Sequence, residues 1–340
     1  MRMKGPAPDV QCDTARAGSG VLRDDGLAMT LAILCSGQGR QHRDMFALTG
    51  DAPVAASLFA HAATLLGGRD PREIVRSEPA EALHHNRVGQ ILCTLQALAA
   101  ASMLREQIPE RRIVAGYSVG EVAAWGVAGL IGTTETLDLV ARRAEAMDAA
   151  TRPGDGMLFV RGLPRAAIDG LCERHEAAVA IVNPGDAFIL GGSRATLNAL
   201  AEDAKAMNAA RVVDVPVEVA SHTGRLTKAS TEFRDRLSRA DVAAQPAAGT
   251  RLLSGIDAAP VIDVKTGLEK LAAQISHTVQ WADCLQACIE SEATVFLELG
   301  PGPALSDMVA GAYHGVATRS LEDFRTLDGV RAWLAAHVSR

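Results

Sequence analysis

Val114-Ala115-Gly116-Tyr117-Ser118-Val119-Gly120-Glu121 sets a Gly-x-Ser-x-Gly turn between an apolar run, Arg112 to Ala115, and an Ala-rich helical pattern that continues to about Ala128. A serine at such a junction takes strained dihedrals, and the outgoing helix must pass close to the incoming strand, so small residues are needed on both sides. Gly116 and Gly120 meet that need. The stretch reads as a nucleophile elbow, with the Ser118 hydroxyl raised at the end of a parallel strand. The Val119 N–H and the helix N-terminus would then face charge developing on an attacked carbonyl oxygen. The same residues also suit an ordinary strand-to-helix loop, so the rest of the chain has to decide.

Upstream, Thr30-Leu31-Ala32-Ile33-Leu34-Cys35 is a short apolar run ended by Ser36-Gly37-Gln38-Gly39-Arg40-Gln41, which predicts a buried first strand entering a glycine turn. A dinucleotide loop is set aside: His42 stands where the third glycine belongs, and no acidic residue follows at the expected strand end. Residues 54–66 and 88–106 repeat apolar residues at helical spacing. Downstream, a turn at Gly129 to Thr133 leads into a helix from Thr134 to Ala149. That helix carries Arg142 and Arg143, which on chemistry alone read as a solvated basic pair near a helix C-terminus.

Between 151 and 217 the texture changes to strand, helix, strand, strand, helix, strand. This βαββαβ order is the ferredoxin-like signature. Val295 to Leu299 then gives a last strand before Gly300-Pro301-Gly302-Pro303. The predicted fold is α/β: an α/β-hydrolase-like, parallel-sheet large domain formed by residues 29–150 and 218–340, with a ferredoxin-like small domain inserted at 151–217. Residues 1–28 lack periodicity and read as a disordered tail, which makes Met29 a candidate natural start.

With 340 residues, 48% of them hydrophobic, the chain can bury a large core. A net charge of −6 without Lys or Arg runs argues against nucleic-acid binding, and no apolar stretch has the length of a membrane span. The six cysteines, Cys12, Cys35, Cys93, Cys172, Cys284 and Cys288, lack zinc-site spacing and suit a reducing cytoplasm. A serine nucleophile needs a base. Of nine histidines, His222 is best placed, since it follows the strand-like run Glu218-Val219-Ala220-Ser221 downstream of the serine. A lone histidine can equally be a packing residue.

Six short motifs decide between these readings. Gly37-Gln38-Gly39-Arg40-Gln41, Gly116-Tyr117-Ser118-Val119-Gly120-Glu121, Arg143-Ala144-Glu145-Ala146-Met147, Ser221-His222, Val279-Gln280-Trp281 and Glu298-Leu299-Gly300-Pro301-Gly302 follow one another in this order. In them the chain resembles the malonyl-CoA:acyl-carrier-protein transacylases over residues 29 to about 320. The resemblance implies Ser118 as nucleophile and His222 as general base. It implies Gln38 and Val119 as the oxyanion-hole donors, and Gln280 as the residue whose main-chain carbonyl holds the imidazole. Arg143 is similar to the residue that pairs with the malonyl carboxylate, and Asn183 to an asparagine near the pocket. Two positions depart from the family pattern: Tyr117 replaces the usual histidine, and Arg40 stands where a small residue is common, as a candidate phosphate contact. The Tyr-Ser-Val form and Ser276-His277-Thr278-Val279-Gln280-Trp281 look most like the epsilon, or transacylase, subunit of malonate decarboxylase. The implied reaction moves malonyl from malonyl-CoA to the phosphopantetheine-type thiol of an acyl carrier protein, with no metal or bound cofactor; the other decarboxylase subunits are further possible partners. A fatty-acid or polyketide transacylase, a serine thioesterase or hydrolase, and a non-catalytic docking subunit remain the alternatives.

Overall fold

A computed structural model describes residues 30–338; the tail and start readings for residues 1–29 fall outside it. Ten strands appear in chain order: β1 (Thr30–Cys35), β2 (Arg112–Gly116), β3 (Asp155–Arg161), β4 (Ala178–Asn183), β5 (Ala187–Ser193), β6 (Arg211–Val215), β7 (Thr250–Leu252), β8 (Val279–Gln280), β9 (Ala293–Glu298) and β10 (Ala317–Ser320). One sheet runs β10-β9-β1-β2-β7 with every pairing parallel. Strand side chains alternate between faces, and here both faces are covered. Leu31, Ile33 and Cys35 point into the main helical core, while Ala32 and Leu34 pack with Ile113, Ala115 and Trp281 on the other side. That is why β1 reads as an unbroken apolar run.

The second sheet has the order β6-β3-β5-β4-β8. β3 to β6 pair antiparallel, with helices Arg165–Arg174 and Arg194–Ala206 as the crossovers. This is the ferredoxin-like arrangement expected from the βαββαβ order. A fifth strand, which local pattern did not suggest, comes from far downstream: β8 adds parallel to the β4 edge through Ile181↔Val279 and Val182↔Gln280. The two sheets also share apolar contacts, since Met157, Ala180 and Ile181 belong to the same buried cluster as Ala32 and Leu34. The cleft between them is therefore walled by both. Among the described residues no helix is long and apolar enough to cross a membrane. The five described cysteines are free and buried.

Candidate active site

β2 ends at Gly116 and the helix Val119–Val127 begins immediately after Ser118, whose φ of 56° and ψ of −121° lie outside the ordinary allowed regions. The turn closes so tightly that a Cβ on Gly116 would stand 2.1 Å from the Gly120 carbonyl oxygen, and one on Gly120 would stand 2.1 Å from that of Cys35. No side chain fits at either position. Ser118 Oγ lies 2.8 Å from His222 Nε2. On the far side of the ring, Nδ1 is 2.6 Å from the Gln274 carbonyl oxygen. A carbonyl can only accept, so Nδ1 carries the proton and Nε2 is left to receive one from the serine. Burial, with Arg143 adding to it, pushes the His222 imidazole down to about 3, so it is held neutral.

The carbonyl behind the imidazole belongs to Gln274 and not, as expected, to Gln280. Gln274 caps the C-terminal end of helix Val264–Ala273, where the last carbonyls have no intrahelical partner and remain free to accept. Gln280 lies in β8, with its N–H donated to the Gly255 carbonyl, and serves the small sheet. Gln274 does more than hold the ring: its Nε2 also donates to the Ser118 carbonyl at 3.0 Å, and its Oε1 accepts from Arg143 Nη2 at 3.2 Å.

Arg143 is not the solvated partner of Arg142. Arg142 sits on the surface in an ion pair with Glu145, whereas Arg143 is 1% exposed. The successive helix positions face about 100° apart. Arg143 Nη1 donates to Gln90 Oε1 at 2.6 Å, so both of its hydrogen bonds go to neutral amides, and Nε has no partner. Burial pushes this guanidinium down to about 10, with Glu121 opposing the shift, and it stays a cation at neutral pH. A buried guanidinium whose direct hydrogen bonds all go to neutral amides can still take a directly bonded anion. Sequence reading missed Gln90 and Gln274. The available signal for Gln90 was a polar residue repeated into the apolar face of helix Asn86–Met103, where it is fully buried.

A cavity of about 920 Å³ opens over Ser118 and His222, while the buried Arg143, Gln90 and Gln274 stand behind these two and are not among the residues that line it. Gln38, Tyr117, Ser118 and His222 line one side of it, and Met157, Ile181, Ile189 and Val215 of the small sheet the other. Gln38 follows a loop fixed from beneath, since Ser36 Oγ donates to Glu298 at 2.7 Å and Gln38 Nε2 to the Asn86 carbonyl at 3.3 Å. Val119 opens its helix, so its N–H is among the donors that a helix leaves free. Tyr117 packs edge-on to Trp281, with centroids 5.4 Å apart, and burial pushes its phenol up to about 12. Asn183, 4% exposed at the end of β4, lies beside that phenol, and its side-chain interaction with the hydroxyl partly opposes the upward push of burial. Arg40 is not brought into the site: it is exposed, its stem rests against Gly302, and it does not line the cavity.

Comparison with known proteins fits this geometry. Residues 33–326 match the family described as "Acyl transferase domain". Over 307 residues the chain is 29% identical to the malonyl CoA-acyl carrier protein transacylase of Mycobacterium tuberculosis, covering 88% of this chain and 98% of that one. Among solved structures, the acyl-carrier-protein S-malonyltransferase from Burkholderia pseudomallei superimposes with a TM-score of 0.82 at 27% identity, over 89% of this chain and all of that one. The M. tuberculosis structure gives 0.81 at 26% identity, over 91% and 100%.

Proposed function

The chain belongs to the acyl transferase domain family and is an acyltransferase, and on that premise we propose that it carries a malonyl group from malonyl-CoA through a Ser118 acyl-enzyme to the phosphopantetheine-type thiol of an acyl carrier protein. The observation that carries this reading is Arg143, a buried cation bonded only to neutral amides beside a serine–histidine pair. A free acyl carboxylate would take Nε and replace one amide acceptor, forming a bidentate pair.

In the first half-reaction His222 Nε2 accepts the serine proton as Ser118 Oγ attacks the thioester carbonyl. The Gln38 and Val119 N–H groups stabilise the oxyanion, and the imidazolium returns the proton to the departing CoA thiolate. The second half reverses these steps: His222 takes the proton of the carrier thiol, whose sulfur attacks the acyl-serine. The Gln274 carbonyl keeps the imidazole in the Nδ1–H tautomer throughout, without a buried aspartate. This chemistry needs no metal or cofactor. A hydrolase would have no use for a carboxylate anchor at Arg143, and a docking subunit none for the Ser118–His222 bond. For the acceptor we propose the small carrier subunit of malonate decarboxylase, supported by Tyr117 before the nucleophile and by the Ser276 to Trp281 stretch.

Intact-mass analysis after mixing with malonyl-CoA should show one malonyl adduct, absent in Ser118→Ala, that discharges onto a carrier thiol. Discharge to water alone would reject the transferase chemistry proposed here. Discharge onto a fatty-acid carrier and not onto the decarboxylase carrier would reject the proposed acceptor.

A further inference from the structure

Glu121 sits in the first turn of helix Val119–Val127, 1% exposed, directly beyond the nucleophile. Gln274 Nε2 donates to its Oε2 at 2.5 Å, and the Gly255 N–H also bonds the carboxylate. Gly255 leaves room for that approach, since a Cβ there would stand 2.5 Å from Oε2 and the carboxylate would have to shift. The same Gln274 amide accepts from Arg143 through Oε1. One amide side chain thus separates a buried carboxylate from the buried guanidinium.

We propose that Glu121 is a positioning residue that sets the charge at the Arg143 site: as an anion it balances Arg143 while the site is empty, and it takes up a proton when a carboxylate-bearing acyl group binds. The inference rests on the malonyl reading of Arg143. Two anions beside one cation in a dry interior repel each other, and the less stabilised one is neutralised. That one is Glu121. Burial pushes its carboxyl up to about 7, against the lowering effect of the Gly255 and Gln274 bonds and of Arg143. The other groups facing it are settled. Asp257 raises it further but is paired with Lys270 at 2.6 Å. The Cys284 thiol, on helix Trp281–Glu290, is held protonated by burial, and His222 is neutral. The proton comes from solvent and ends on the Glu121 carboxyl, and no other bond changes.

The test is kcat/KM for malonyl-CoA and acetyl-CoA with the full-length enzyme between pH 6 and 8, in wild type and Glu121→Gln. The ratio of the two substrates cancels the ionisation of the CoA phosphates they share. In the wild type the malonyl:acetyl ratio should rise by roughly three- to tenfold from pH 8 to pH 6, through KM and not kcat, as Glu121 becomes neutral and Arg143 is left to the substrate. In Glu121→Gln it should stay at the high, low-pH value throughout. A purely structural glutamate would shift both substrates alike, and that result would overturn the proposal. So would a clear wild-type preference for malonyl that does not change with pH, a measurement that needs no folded variant. Absence of any malonyl preference in the wild type would instead reject the Arg143 reading on which the inference rests.

Discussion

Arg143 and His222 are ionisable side chains buried within one hydrogen-bond network, and their environments push both toward the neutral form. For His222 the consequence is a base ready at neutral pH and below. Acyl-enzyme formation at saturating malonyl-CoA, followed by quenched-flow mass analysis, should be nearly flat from pH 8 to pH 5 and fall only in stronger acid, because the imidazole is pushed down to about 3. A rate that halves near pH 6.5 would show the ring to be far better solvated than its burial implies. For Arg143 the proposed consequence is selectivity. Arg143→Ala strands a carboxylate in a closed site at a cost of about 3 to 5 kcal/mol, or about two to four decades in kcat/KM for malonyl-CoA. Acetyl-CoA, with no carboxylate, should lose nothing. Arg143→Lys should recover only part, since an ammonium lacks the planar fork. Equal losses for both substrates would make Arg143 a structural residue.

At the scale of elements, the elbow depends on how closely strand and helix approach. Gly120→Ala places a methyl 2.1 Å from the Cys35 carbonyl oxygen, a backbone atom of β1 that cannot swing away. Moving it displaces the helix that Ser118 caps, at more than the ordinary overpacking cost of about 1 to 3 kcal/mol. Acylation should fall by roughly 100-fold or more, because a shift on the order of 1 Å ruins attack geometry. Gly170→Ala is the control. It lies inside helix Arg165–Arg174 with open space around it, and alanine there should raise stability by about 0.4 to 1 kcal/mol with activity intact. Thermal melts and adduct formation on the two variants separate close approach from backbone freedom. The His222 loop is tied to the small sheet in a similar way. Arg225 bonds the buried Asp155 of β3 at 2.8 Å, and Gly191 of β5 leaves room for the Thr223 methyl.

Over the whole molecule, buried ionisable groups decide how stability follows pH. Glu121 and Glu298 are both pushed up to about 7 by burial, from 4.5. Between those values the folded chain holds protons that the unfolded chain has lost, so their contribution falls as pH rises and levels off above about 7. His42, raised by its bond to Glu322, acts in the same direction. His222, lowered from 6.5, has the opposite sign: its contribution is lost as pH falls below 6.5. Two carboxylates outweigh one imidazole, so unfolding free energy should drop by roughly 1 to 2 kcal/mol from pH 6 to pH 8. Denaturant melts at the two pH values check this, and stability that rises toward pH 8 would contradict the reading that burial disfavours the ionised form of both carboxyls.

The sequence by itself determined the elements whose signals are local. The apolar run of β1, the glycines around Ser118 and the alternating pattern from 155 to 215 each follow from periodicity or from space at a single turn, and the motif order carried Ser118, His222 and Arg143. Tertiary structure alone decided which groups those residues meet. Nothing local distinguishes Gln274 from Gln280 as the residue behind the imidazole; the choice depends on where a helix ends in space and exposes a free carbonyl. Nor does spacing show that Arg143 is buried against Gln90 and Gln274, that Glu121 lies one amide away, or that β8 completes the small sheet. Hydrophobic periodicity repeats within a few residues and can be read along the chain, whereas the partners of a buried polar group are brought from distant segments by packing.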